Sequence, residues 1–236
     1  MKAEAARVKG GRREARSRDL RHEILGSPYR IRLPPGARCR PGAGSLLNAG
    51  CRAGLQLARC GPVNRQEFWD VIEQARADVG SAAADAVAAR ATEVLALLPP
   101  AQIAAAAQPL WDLMADSYQG DLWAAAYLIN GGASDDGFEY FRGWLITQGR
   151  EVFERAVADP DSLADVPAVQ AVAAEAGDLE CEEALGIVRD AYLKATGQEL
   201  PRGAFTIRYP PVNFTWDLAD NVQARIHLPR LDRLLE

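Results

Sequence analysis

Histidine and cysteine are the scarcest chemistry-bearing residues in this chain, with two and four copies in 236 residues. Cys39, Cys51 and Cys60 fall within residues 1–62, so Cys181 and His227 are all that remain after them. No two cysteines have C-x-x-C spacing, which argues against a zinc ribbon, a dithiol redox motif or a disulfide framework. One histidine and one cysteine are too few for a His/Cys metal centre, and the Glu-x-x-His pairs of a di-iron bundle are missing. A Ser–His hydrolase would have to use His227 as its base. Lying just before Leu228-Pro229, His227 reads instead as a surface or packing residue. The phosphate loop G-x-x-x-x-G-K-[ST] is absent, and Gly131-Gly132 has no lysine near it. Asp135-Asp136-Gly137 lacks the alternating spacing of a calcium loop. No apolar run approaches the roughly 18 residues of a membrane span. The apolar stretches of the first 62 residues are broken by Gly, Pro, Asn48 or Arg52, which argues against a signal peptide. The expectation is a cytoplasmic protein with no cofactor.

Charge is present but unevenly spread. Residues 1–62 hold 14 Lys/Arg against 4 Asp/Glu, a balance of +10, while residues 63–236 hold 13 against 28, a balance of −15. The first segment is rich in Arg, Gly, Ala and Pro and shows neither a 3.6 nor a 2.0 period. It reads as a disordered basic leader, or as sequence upstream of a true start near Val63. The second segment has the length of a single helical domain. Its negative charge is unfavourable for nucleic acid, whose phosphates are held by many Lys/Arg contacts. It suits solubility or a basic protein partner.

Residues 63–236 follow a helical pattern nearly throughout. Asn64 with Glu67 has the spacing of a capping box, and Phe68, Val71, Ile72, Ala75 and Val79 then share one helix face. A second helix is expected over about 82–98, capped by Ser81. Pro100 is placed to begin a third, and Pro109 to kink or split it. Residues 121–130 are apolar nearly all round, which places that helix in the centre of a bundle. Asn130-Gly131-Gly132 stops it, and Ser134 caps a helix over about 135–149. Further helices are expected at about 150–158, 167–176 and 180–196. After Pro201 the chain reads as irregular, with Phe205–Tyr209 as one short strand and a last helix near 218–226. The fold class is therefore an all-α bundle of about seven or eight helices with an irregular C-terminal wrap.

One stretch is specific enough to suggest kin. Gly131-Gly132-Ala133-Ser134-Asp135-Asp136-Gly137-Phe138, followed by Phe141-Arg142-Gly143-Trp144-Leu145, resembles the signature of a bacterial family known as domain of unknown function 4240. Glu67-Phe68-Trp69, Ala191-Tyr192 and Thr196-Gly197 fit the same family, so the likeness covers about residues 64–200. The resemblance carries no activity, cofactor or site residue with it.

Function has to be argued from the residues. On the helix from Asp135, Phe138, Tyr140, Phe141, Trp144 and Leu145 sweep a core arc, while Asp135, Glu139, Arg142 and Ile146 form a second stripe. Gly143, which weakens a helix interior, implies close approach of another element. The catalytic candidates are Asp135, Asp136, Glu139 and Arg142, with Tyr140 assisting, and the candidate metal ligands are Asp135, Asp136 and Glu139. The plainer reading makes the aspartates first-turn charges on a capped helix and pairs Glu139 with Arg142. The balance of these arguments favours a non-enzymatic protein-binding or regulatory module with an acidic surface over a carboxylate-based enzyme or metal-binding protein. Nucleic-acid binding through this helix is disfavoured, because its leading residues would repel phosphate.

Overall fold

Asn64 opens the first helix in the computed structural model, which describes residues 61–80, 83–175, 177–218 and 220–236. Residues 1–60 of the leader and the Ser81 cap lie outside the described residues. Asn64 accepts from the Glu67 amide and Glu67 accepts from the Asn64 amide, completing the capping box of α1 (Arg65–Val79). Gly80, at φ +58°, closes that helix in the left-handed conformation that favours glycine. Then come α2 (Ala84–Leu95), α3 (Pro100–Ala105) and α4 (Ala107–Asp116). The third expected helix is thus two, divided at Ala106, one turn ahead of Pro109, where the proline ring would clash with a continuing helix.

The chain continues through α5 (Gly120–Ile129), α6 (Asp135–Thr147), α7 (Arg150–Ala158), a 3-10 helix (Pro160–Asp165), α8 (Pro167–Glu175) and α9 (Glu183–Thr196). It ends with α10 (Asn221–His227) and α11 (Pro229–Leu235). No strand occurs among the described residues, and none of their helices is long and apolar enough to cross a membrane.

The core is organised around α6, which contacts α1, α2, α4, α5, α7 and α9. It buries Phe138, Phe141, Trp144, Leu145 and Ile146, each worth roughly 1.5–3 kcal/mol of transfer free energy before ordering entropy is subtracted. Both ends of the α6–α7 junction are tied to α1. Arg76 donates to the Thr147 carbonyl at 2.6 Å, and Glu73 accepts from the Arg150 amide at 2.8 Å. A cation at one helix's end and an anion at the next one's start each match the local dipole.

Residues 198–217 form the irregular wrap, held by rings. Phe205 stacks on Trp111 at 5.2 Å, Tyr209 on Tyr118 at 4.7 Å, and Phe214 meets Trp123 edge-on at 5.3 Å. The strand expected at Phe205–Tyr209 is not formed. Thr206 donates its amide to the Gln108 side chain at 2.8 Å, and its carbonyl accepts from the same amide group at 3.2 Å. A glutamine thereby takes the place of a neighbouring strand. Beyond the wrap, His227 is exposed and stacks on Trp216 at 5.1 Å, a packing role as the sequence implied.

The second C-terminal helix, α11, was not foreseen, because its cap comes from 68 or more residues away. Asp161, 7% exposed, accepts from the Arg230 amide at 3.0 Å and the Leu231 amide at 3.0 Å. We expect Asp161→Ala to cost about 2 kcal/mol, since it strands buried donors at a helix start. Amide hydrogen exchange should show α11 losing protection ahead of the rest of the domain. Unchanged protection there would contradict the assignment.

Candidate functional site

The run Asn130-Gly131-Gly132 stops α5 as its sequence implies. The Gly132 amide reaches the Tyr127 carbonyl at 2.8 Å and the Gly131 amide the Leu128 carbonyl at 3.4 Å, which together make a Schellman closure. Gly131 has φ +65° and Gly132 φ +142°, conformations that L side chains rarely adopt. The Asn130 side chain is thereby aimed at a distant segment. Its oxygen accepts from the Leu179 amide at 3.0 Å, and its nitrogen donates to the Leu179 carbonyl at 3.5 Å. The Cys181 amide then donates to the Tyr140 carbonyl at 3.0 Å. Residues 178–182, an unremarkable connection in the sequence, are fixed along α6 by these bonds.

The result is a concentration of carboxylates at one end of α6. Ser134 caps the helix by accepting from the Gly137 amide at 3.1 Å, and Asp135 and Asp136 are exposed in its first turn. Glu180 lies against Gly137, close enough that a Cβ built there would be 3.1 Å from its carboxylate. Burial, then the charge on Asp178, pushes the Glu180 carboxyl above its usual range. The Tyr140 phenol is pushed up first by the charge on Glu182, then by burial, then by Asp136, Glu139 and Glu180. Tyr140, expected on the core arc, is only half-buried. Among the described residues, none of Asp135, Asp136, Glu139, Asp178, Glu180 and Glu182 forms an ion pair.

Arg142 stands apart from the stripe it was grouped with. It is 2% exposed and points into the bundle, where its guanidinium donates to the Met114 carbonyl at 2.6 Å. Its central carbon lies 4.9 Å from the Tyr118 ring, 4.9 Å from the Phe138 ring and 5.0 Å from the Tyr209 ring. Met114 is in the last turn of α4, the negative end of that helix. A helix end and three aromatic faces therefore compensate the buried cation. Its Nε has no hydrogen-bond partner. The expected Glu139–Arg142 pair is not formed, because the two side chains leave the helix in different directions. Glu139 accepts instead from the Tyr209 hydroxyl at 3.3 Å. Of the four catalytic candidates, Asp135, Asp136 and Glu139 lie at the acidic end and Arg142 belongs to the interior.

Sequence reasoning missed Asp178, Glu180 and Glu182 as neighbours of α6, and also missed a group formed by Asp85, Cys181 and Glu183. The only local signal was Gly143. A Cβ there would overlap the Cys181 carbonyl oxygen and come within 3.3 Å of the Ala184 Cβ, so α6 can hold this segment close only if residue 143 is glycine.

Fold and site together define an all-helical domain with an acidic end built on its central helix. The chain belongs to the family described as protein of unknown function (DUF4240), whose model matches residues 63–194. No curated protein and no solved structure matches it.

Proposed function

We propose that the domain is a non-enzymatic protein-binding module whose acidic end, centred on Tyr140, docks a basic segment of a protein partner. The observation that carries this reading is the group of carboxylates at this end of α6, Glu182, Asp136, Glu139 and Glu180, whose charges all act on the Tyr140 phenol and none of which is held in an ion pair. Carboxylates held in no ion pair on one face repel each other, and an Arg/Lys-rich segment would relieve that repulsion. Tyr140 adds an amphipathic ring at the centre, the residue type enriched in binding hot spots. The balance of −15 over residues 63–236 would also speed the approach of such a partner. The alternative, a carboxylate-based enzyme or metal site on Asp135, Asp136 and Glu139, gains little support from a guanidinium that faces the core.

A charge-reversal variant, Asp136→Lys/Glu180→Lys/Glu182→Lys, tests the reading. Binding of an Arg-rich peptide to the wild-type chain should weaken at least tenfold in the variant and fall steeply with added salt, while the circular dichroism stays unchanged. Because binding needs ionised carboxylates, acidification through the carboxylate range should weaken it as well, beginning with Glu180, whose range is raised. Equal affinity for the two proteins would refute it.

A further inference from the structure

Beyond the acidic end, and without relying on it as a docking surface, the start of α2 meets the start of α9. There the ligand atoms of Asp85, Cys181 and Glu183 all lie within 4.8 Å of one another. Cys181 is buried and the two carboxylates are exposed, so the sulfur is the floor and the oxygens are the rim. The Glu183 carboxylate is 3.9 Å from the sulfur. The Asp85 carboxylate faces the sulfur from α2. The Cys181 backbone is held by the Tyr140 carbonyl at 3.0 Å and by the close approach that Gly143 permits. Among the described residues no Lys or Arg pairs with Asp85 or Glu183. Three acidic groups therefore converge with no counter-charge.

We infer that Asp85, Cys181 and Glu183 form a site for a single transition-metal dication of the zinc type. A thiolate with two carboxylates suits zinc or cobalt better than calcium or magnesium, which take oxygen ligands alone. Three protein ligands leave a fourth position open to water. A tetrahedral centre with bonds of about 2.0–2.3 Å holds its ligand atoms roughly 3.5 Å apart. The rim carboxylates must therefore close in by about 1 Å, which exposed side chains do by rotating about their χ angles. The positive end of α9 stabilises the thiolate once it forms. Binding replaces the thiol proton with the metal and releases that proton to solvent. Burial holds the free thiol up to about 12, so it is protonated at neutral pH.

The test uses the full chain with Cys39→Ser, Cys51→Ser and Cys60→Ser, so that Cys181 is its single thiol. Titrated with cobalt(II), this protein should bind one equivalent with a near-ultraviolet thiolate-to-metal charge-transfer band, which zinc(II) then displaces. Adding Cys181→Ser, which exchanges only the sulfur for an oxygen, should abolish the band and weaken binding at least tenfold. Asp85→Asn/Glu183→Gln keeps the thiol and should lose most of the affinity with its circular dichroism unchanged. A folded protein that shows no band overturns the assignment. So does cobalt binding that is equally tight in the Cys181→Ser protein, since that is ordinary carboxylate binding.

Discussion

Arg142→Ala is expected to destabilise the domain by about 3–4 kcal/mol, which is a large part of the 5–15 kcal/mol typical of a folded domain. Two losses add. The buried Met114 carbonyl loses its charged donor at 2.6 Å and keeps only the Ser117 hydroxyl at 3.3 Å. The space between Tyr118, Phe138 and Tyr209 becomes a cavity. The substitutions that separate these causes are Met and Lys. Arg142→Met fills the volume and removes a buried charge, so it should recover most of the loss. Arg142→Lys keeps the charge but gives up the flat surface that three rings face, and should be the less stable of the two. Urea unfolding midpoints provide the comparison. Lysine at wild-type stability, or alanine costing under about 1 kcal/mol, would show that the aromatic cage contributes little.

Gly143→Ala should cost about 2–3 kcal/mol, against the usual gain of about 1 kcal/mol for removing glycine from a helix interior. The sign reverses because the added methyl meets the backbone of Cys181, which cannot rotate away as a flexible side chain could. That backbone is pinned in turn by the Tyr140 carbonyl. A fall in Tm of roughly 4–12 °C is the expected reading. If the variant is as stable as wild type, the segment at 178–182 yields easily and the geometry proposed for both the acidic end and the metal site is looser than described.

The parts of this molecule legible from sequence are those fixed by neighbours along the chain. The Asn64–Glu67 box, the Ser134 cap, the glycine stop after α5 and the close approach at Gly143 each depend on a few adjacent residues, and each is found in the structure. What escaped was set by residues far apart. Arg142 occupies a stripe with Asp135 and Glu139, and periodicity alone puts it outside. It turns inward because α4 offers a carbonyl and the wrap offers Tyr209, neither of which is visible from within α6. The same holds for α11, whose cap Asp161 is 69 residues from Arg230. It holds again for Asp85 and Cys181, which meet only because α2 packs on α9. The strand expected at Phe205–Tyr209 failed for the converse reason. Alternating apolar residues were present, but the partner for Thr206 was the Gln108 side chain.

The third ring on Arg142 has a bearing on where this module begins and ends. The match to the family model ends at Lys194, yet Tyr209 and the helix α11 that packs on α5 lie beyond it. The stretch matched by the family model and the packed unit thus have different borders. A fragment trimmed to the recognisable sequence would uncover the rings of Trp111, Tyr118 and Trp123 and leave one side of a buried cation open to water.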